Sequence, residues 1–246
     1  MPSLQTSATQ FNLTLSDSQL EQFESYFNIL SEWNQRINLT RIISREDVYS
    51  KHFLDSLSCL LALPTLPAHV IDVGAGAGFP GVVLKIAQPH IQLTLVEATQ
   101  KKATFLRHLV EALALAQVTV VAERIETVGQ DKQHRAKYDL AVARAVAAMP
   151  VLAEYMLPLL RLGGVMLAQK GVDPAAEVQA AAQALRLLGG RHRQTLPVTV
   201  PDLEAARHLV LIDKVAATPR DYPRRPGLPA KNPLSNENQQ GTPVRK

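Results

Sequence analysis

The sequence predicts an α/β protein, a doubly wound and mainly parallel sheet with an antiparallel final strand and a helical cap ahead of it. Three observations carry that expectation. Short β-branched runs alternate with helical stretches from His69 onward. One apolar strand runs straight into a glycine-rich turn at Gly74. The residues ahead of Pro64 carry helical periodicity instead. With 246 residues, 46% of them hydrophobic and 20% charged, the chain can bury a large core and is too apolar to be disordered as a whole.

At the N-terminal end, Leu20, Phe23, Phe27, Leu30 and Trp33 recur at three- and four-residue spacing, behind Ser16 and Gln19 placed as a capping box. An amphipathic helix therefore begins near Ser16. A second helix is expected from about Ser44 to Leu61, with Val48, Phe53, Leu57 and Leu60 as its apolar face. Pro64 and Pro67 end helicity, because proline lacks the backbone donor and clashes with the preceding turn. The expected cap is thus 1–63 and the sheet domain 64–217. Strands are expected at His69–Val73, Gln92–Val96, Val118–Val121, Leu140–Ala143 and Val165–Gln169, with a late pair near Thr195–Val200 and His208–Val215. Helices fill the gaps at Pro80–Ala87, Lys101–Ala114, Met149–Leu160 and Pro174–Leu188. Only a loop containing Pro201, Asp202 and Leu203 joins the late pair, which suits antiparallel pairing. From Thr218 the chain turns Pro-, Arg- and Asn-rich, and 218–246 reads as an extended basic tail with no core of its own.

The net charge of +4 is concentrated in that tail. From Lys214 onward seven cations face two acids, so the rest of the chain sums to −1. A basic segment on a nearly neutral body points to a polyanion, nucleic acid first and an acidic membrane surface second, with a solvated, solubilising tail as the competing reading. The single cysteine, Cys59, allows no intramolecular disulfide and no zinc-ribbon spacing, which fits a reducing cytoplasm. The opening residues lack a basic stretch followed by an apolar one, and no run approaches the roughly 18 apolar residues of a membrane helix. Neither secretion nor membrane spanning is expected.

The most informative segment is Val70-Ile71-Asp72-Val73-Gly74-Ala75-Gly76-Ala77-Gly78-Phe79-Pro80-Gly81. Glycines let the backbone take positive φ and approach a ligand, while Pro80 sits in the first helical turn, where its missing donor costs little. Gly76-x-Gly78-x-x-Gly81 also satisfies the dinucleotide fingerprint, so the turn alone leaves several nucleoside ligands open. Asp72 would repel a pyrophosphate and attract an ammonium group, which S-adenosylmethionine carries. Glu97 ends the next strand 23 residues after Gly74, placed to accept ribose hydroxyls, a position shared with NAD enzymes. After the third strand comes Ala122-Glu123-Arg124-Ile125-Glu126, where Ile125 either packs on an adenine or forms the buried face of a short helix; the residues favour the helix. Arg144 lies at the fourth strand end, on the ligand-binding edge of such a sheet.

Ring-carbon methylation generally needs a cysteine nucleophile, and Cys59 sits among leucines on a cap helix as a buried thiol. Exocyclic-amine methylation is disfavoured, because the strand end at Arg144 lacks an Asn/Asp-Pro-Pro-aromatic tetrad. Guanine N7 carries a lone pair and no proton, so its methylation needs orientation without a general base. Lys101, Lys102, Arg107, Arg124, Arg144 and Lys170 fall near strand C-termini as a possible rim for RNA phosphates, each with a solvated surface charge as the alternative. Trp33 and Phe79 read as core before base-stacking groups, and His52 as an RNA contact or local helix partner before a general base.

Asn38-Leu39-Thr40, His52-x-Leu54-Asp55-Ser56, the glycine turn, Lys101-Lys102-x-x-Phe105-Leu106, Val142-Ala143-Arg144-Ala145, Gln169-Lys170-Gly171, Arg207-His208-Leu209-Val210, Tyr222-Pro223-Arg224-Arg225-Pro226-Gly227 and Lys231-Asn232-Pro233-Leu234 follow in order along most of the chain. Together they resemble the RsmG (GidB) methyltransferases of small-subunit ribosomal RNA. The resemblance implies a Rossmann-like class I S-adenosylmethionine-dependent methyltransferase fold, with N7 of one guanine in 16S rRNA as acceptor and the rRNA or the small-subunit particle as partner. It carries cofactor contacts onto Gly74, Phe79, Glu97, Ala98, Thr99, Ile125, Glu126 and Arg144, and Gly76 joins them on backbone grounds. Lys101, Arg124 and Lys170 are the expected RNA contacts, and no catalytic base carries over. A monomer is expected, and removal of the tail after Ala217 should weaken RNA binding without altering cofactor affinity. An NAD-dependent oxidoreductase fits poorly, since Tyr26, Tyr138 and Tyr155 are not followed four residues later by lysine. A non-catalytic RNA-binding protein on the same scaffold is the other alternative.

Overall fold

The computed structural model describes residues 4–171 and 173–234. The chain opens with α1 (Leu4–Ala8), a 3-10 turn at Thr9–Phe11, and α2 (Asp17–Asn34). Ser16 caps α2, with its side chain accepting from Gln19 N–H and the Gln19 side chain accepting from Ser16 N–H, so the expected capping box forms. The buried stripe of α2 is Phe23, Tyr26 and Leu30, while Leu20, Phe27 and Trp33 lie at its margin. The second expected helix is present but not uniform. It runs as α3 (Arg45–Val48), a π-helical turn (Tyr49–Leu54), α4 (Asp55–Leu57) and α5 (Cys59–Ala62). Such a π turn widens the helix locally and is frequent at functional sites; here it contains His52 and leads into Asp55.

The sheet follows as β1 (His69–Val73), α6 (Gly81–Ala87), β2 (Gln92–Val96), α7 (Gln100–Ala112), β3 (Val118–Val121), α8 (Ile125–Gln130), β4 (Tyr138–Arg144), α9 (Met149–Met156), a 3-10 turn at Leu157–Leu159, β5 (Leu160–Lys170), α10 (Ala175–Ala180), α11 (Ala182–Leu188), β6 (Gly190–Val198) and β7 (Arg207–Lys214). The strand order is β3-β2-β1-β4-β5-β7-β6. Strands β1 to β5 pair in parallel, and β7 runs antiparallel to both β5 and β6, as the short loop between the late strands required. β1 pairs with both β2 and β4, so the strand order reverses beside it. The crevice beyond its C-terminal end is where ligands bind in sheets of this kind.

Alternate residues along the strands enter two separate cores. Val70, Leu140, Val142 and Leu167 face the one shared with the cap, α6 and α7. Ile71, Ala141, Ala143 and Met166 face the one shared with α8, α9 and α11. Three expectations need correction. The helix expected over Met149–Leu160 ends at Met156, and Leu160 already opens β5. The helix expected over Pro174–Leu188 is split at Ala181 into α10 and α11. The tail does not run clear of the body: Pro223 and Pro229 are buried, Tyr222 and Leu234 pack on the second core, and a short α12 (Leu228–Lys231) closes the described chain. The remainder of the expected tail, 235–246, lies outside the described residues.

Candidate active site

The turn after β1 is a backbone cradle. Gly74, Gly76 and Gly78 have φ of +73°, +57° and +96°, which side-chain-bearing residues rarely adopt. A Cβ on Gly74 would lie 2.8 Å from Val146 Cγ2, and one on Gly78 would lie 2.5 Å from the Tyr26 hydroxyl. That hydroxyl donates to Ala77 O at 2.6 Å, so the cap supports the turn from below. Gly74 and Ala75 N–H both donate to Val96 O at 3.0 Å, which ties the turn to the end of β2. At Gly76, by contrast, a Cβ would meet only the Gly74 carbonyl, at 3.8 Å, leaving that stretch of backbone open to a ligand.

Two carboxylates expected near this turn do different work. Glu97 accepts Gly76 N–H at 3.1 Å and Thr99 N–H at 2.7 Å, holding the turn and the end of β2 in register. Ala98 and Thr99 beside it are exposed. Asp72, expected to present its charge to a ligand, instead lies fully buried beneath the turn, with Oδ2 accepting Gly81 N–H at 2.8 Å at the start of α6. Burial pushes its carboxyl up to about 7, against the opposing pull of that N–H and of Arg144.

Past β3, Ile125 and Glu126 open α8, with Ile125 half-buried against the second core. Glu126 is buried; its Oε1 accepts Gly227 N–H at 2.8 Å and lies 3.5 Å from Arg124 Nη2. Its Oε2 has no hydrogen-bond partner among the described residues. A buried acceptor left unmet is costly unless a ligand or water donates to it.

Arg144, at the end of β4, is drawn into a knot with the cap. Its Nη1 donates to Asp55 Oδ2 at 2.9 Å and to Lys51 O at 3.0 Å, and its Nη2 donates to His52 Nδ1 at 3.0 Å. Asp55 Oδ1 accepts from Arg207 Nε at 2.9 Å, and Gln169 Nε2 donates to Asp55 O at 2.7 Å. His52 Nδ1 lies 3.0 Å from Arg144 Nη2, which can only donate, and 3.1 Å from Lys51 O, which can only accept, while Nε2 shares a hydrogen bond with Thr40 Oγ1 at 2.9 Å. Burial and the Arg144 charge hold the imidazole down to about 3, so it is neutral at physiological pH. Phe79 is stacked between His52 and Tyr26, with ring centroids 4.4 and 5.3 Å away, and the Arg144 guanidinium lies 4.9 Å from its ring centre. Its ring is thus core, and only its backbone belongs to the turn. Ala145, directly after Arg144, is held at φ +55°, a strained conformation for alanine.

The expected RNA contacts separate. Lys101 is exposed at the start of α7, and the Arg124 side chain is half exposed at the mouth of α8. Lys170 is not a projecting charge, since its Nζ donates to Ala147 O at 2.8 Å and to Glu177 Oε2 at 2.7 Å. Trp33 is half-buried and packs edge-on against Phe105 at the margin of the core. Cys59 is buried, and its thiol is pushed well above its ordinary range. Sequence reasoning left Tyr26, Asp55, Gln169 and Arg207 without roles. Asp55 and Arg207 stood in recognisable sequence elements, but nothing local signalled that residues 152 apart would meet. Among the described residues, no helix is long and apolar enough to cross a membrane.

A family model described as rRNA small subunit methyltransferase G, GidB, matches residues 19–210. Ribosomal RNA small subunit methyltransferase G of Roseiflexus sp. (strain RS-1) is 49% identical over 234 residues, spanning 95% of this chain and 100% of that protein. The protein of the same name from Chloroflexus aggregans is 50% identical over 226 residues, spanning 92% of this chain and 94% of that one. Among solved structures, a mutant of MtNAS in complex with S-adenosylmethionine superposes with a TM-score of 0.53 at 16% identity, over 81% of this chain and 72% of that one. At that identity the likeness speaks for the fold alone, the Rossmann-like class I methyltransferase fold. With a family model covering most of its length and relatives near 50% identity, the chain belongs to the GidB family of small-subunit rRNA methyltransferases.

Proposed function

We propose that this protein transfers a methyl group from S-adenosylmethionine to N7 of one guanine in 16S rRNA, acting as a monomer in the cytoplasm on the rRNA or the small-subunit particle. The observation that carries this reading is the glycine cradle at the C-terminal end of β1, flanked by Glu97 and by the unmet oxygen of Glu126. These features fit the cofactor. The open backbone at Gly76 admits a close ligand, and a buried acceptor oxygen suits a ligand donor. Gly74, Gly76 and the backbone of Phe79, with Glu97, Ala98, Thr99, Ile125, Glu126 and the backbone of Arg144, whose guanidinium is taken by Asp55, would hold it. Both Glu97 oxygens already accept backbone N–H groups, but a carboxylate offers about four acceptor positions, so capacity for ribose hydroxyls remains.

When bound, S-adenosylmethionine supplies a methyl group activated by a sulfonium centre. The residues of the chain orient and take part in no proton transfer. His52 is neutral and already engaged at both ring nitrogens, and the buried Cys59 thiol is not ionised. An acceptor that must first lose a proton or undergo covalent addition is poorly served here; guanine N7 needs neither. Lys101, Arg124 and the exposed Arg220 and Arg225 of the tail would meet RNA phosphates, with Lys170 stabilising the end of β5 through Glu177.

The test is transfer of labelled methyl from S-adenosylmethionine to 16S rRNA or small-subunit particles from a strain lacking the activity, mapped by chain cleavage specific for N7-methylguanine. Label at one guanine N7 is the expected result. Label at another atom would overturn the acceptor assignment, and cofactor-independent RNA binding without transfer would favour the binding-only alternative.

A further inference from the structure

Arginines in the C-terminal segment suggest RNA by composition, yet Arg224 is turned inward. Its backbone N–H and its Nε donate to Glu154 Oε1 at 2.8 and 2.9 Å, and its Nη2 donates to Oε2 at 2.6 Å. Glu154 lies in α9 and is fully buried. Gln130 Nε2 donates to the carbonyls of Arg220 and Pro223, at 3.2 and 2.8 Å. Arg135 donates to those of Thr218, Pro219 and Tyr222, at 3.0, 2.9 and 2.6 Å. A Cβ on Gly129 would lie 2.7 Å from Pro223 Cγ, so the segment and α8 are in direct contact. Residues 218–234 therefore form a strap fastened across α8 and α9. Beyond these anchors lies Gly227, whose N–H reaches Glu126 Oε1 at 2.8 Å.

We infer that Gly227 is a positioning residue of the cofactor site, and that strap docking and cofactor binding favour one another. The inference rests on the reading of Glu126 as a cofactor contact. One oxygen of the buried Glu126 carboxylate is fixed by the strap; the other makes no hydrogen bond among the described residues and, with the Tyr155 hydroxyl as a neighbour of the carboxylate, can take a ligand donor. Two donors on one carboxylate constrain the same rotamer, so whichever binds first reduces the ordering that the second must accomplish. Linkage of this kind is reciprocal. It reverses the expectation that the tail can be removed without consequence for the cofactor.

A matched pair of substitutions isolates the effect from general destabilisation. Gly227 and Gly163 share a φ of +81°, and a Cβ on either meets nothing within 4 Å. Gly227→Ala and Gly163→Ala therefore both force alanine to a φ of +81°, but Gly163 lies in β5 and not in the strap. In calorimetric titration of the full chain with S-adenosylhomocysteine, Gly227→Ala is expected to bind about fivefold more weakly than wild type, the counterpart of about 1 kcal/mol of left-handed strain. Gly163→Ala is expected to stay within about twofold of wild type while losing similar thermal stability. Glu126→Gln, measured alongside, is expected to bind at least as weakly as Gly227→Ala. Equal affinities for the two alanine variants, with Glu126→Gln weakened, would overturn the strap's role and leave the site reading intact. Normal binding by Glu126→Gln would overturn both. A second readout is amide exchange across the strap, which should slow when S-adenosylhomocysteine saturates the wild-type protein; unchanged exchange there would also overturn the coupling.

Discussion

Along the ends of β1, β2 and β3, the chain offers backbone N–H groups and carboxylates, two of whose oxygens, Asp72 Oδ1 beneath the turn and Glu126 Oε2, meet no described residue. Along the ends of β4 and β5 and the start of β7, it offers cations, and each is already engaged: Arg144 and Arg207 on Asp55, Lys170 on Glu177. In the first half a buried acceptor is left beside an open turn, whereas in the second the cations are met by the protein itself, through an aspartate delivered by the N-terminal cap, although Ser56 Oγ and Gln169 Oε1 there also lack a partner among the described residues. The difference teaches that a cation at a strand end is not thereby a ligand contact. Asp55 draws a guanidinium from β4 and another from β7, so it joins cap to sheet where apolar packing alone would leave orientation loose. Arg144 stands at the seam, with its charge close to the Phe79 ring at the foot of the glycine turn.

Breaking the self-paired half should have the largest effect. Asp55→Ala strands two guanidiniums in a largely buried setting and is expected to lower unfolding free energy by about 4 kcal/mol, read from urea denaturation. A loss below about 1 kcal/mol would show that the knot does not hold the cap. In the other half, Gly74→Asp sets a side chain against Val146 at φ +73° and adds negative charge. Affinity for S-adenosylhomocysteine should fall more than about a hundredfold, or about 2.7 kcal/mol, and unchanged calorimetric affinity would remove Gly74 from the site.

A smaller effect follows from His52, held down to about 3 against an ordinary 6.5. As pH falls through that window the unfolded chain takes up a proton that the folded protein refuses, so the stability the neutral ring contributes above pH 6.5 is progressively lost. His52→Gln abolishes that dependence. The stability difference between wild type and variant should shrink by about 1 kcal/mol per unit between pH 6 and pH 5, and a constant difference would mean that the ring titrates normally. Asp72, pushed up to about 7, acts in the opposite sense, but it is common to both proteins and cancels. The smallest effect belongs to the exposed rim. Lys101→Ala should weaken RNA binding about threefold and lower the salt slope by about one, whereas Lys170→Ala should leave the slope unchanged. Equal slopes for the two variants would erase the distinction between paired and exposed cations.

Local constraints were legible in the sequence, and distant pairings were not. The β-branched runs set β1 to β4 and β7 to within about two residues, whereas β5 and β6 each begin five residues ahead of the expected run, and the glycine turn was recognisable because positive φ is a property of the residue itself. Ser16 and Gln19 announced the start of α2 for the same reason. The break at Ala181 has no proline or glycine to mark it. Asp72 was misread because its chain position gives its distance from the turn but not the direction of its carboxylate. The strap looked like an unanchored tail because its partners Gln130, Arg135 and Glu154 lie about 70 to 90 residues away, in segments whose own periodicity gave no hint of a second layer. Lys170 and Arg144 looked alike in sequence as strand-end cations, and only their acidic partners settle what each does.

Hydrogen exchange of the full chain, with and without saturating S-adenosylhomocysteine, tests the contrast between the two halves most directly. Slowed exchange at 74–79, 97–99 and 125–130, with 50–56 and 207–211 unaffected, is the predicted result. Protection centred on 50–56 and 207–211, with none at the glycine turn, would contradict it.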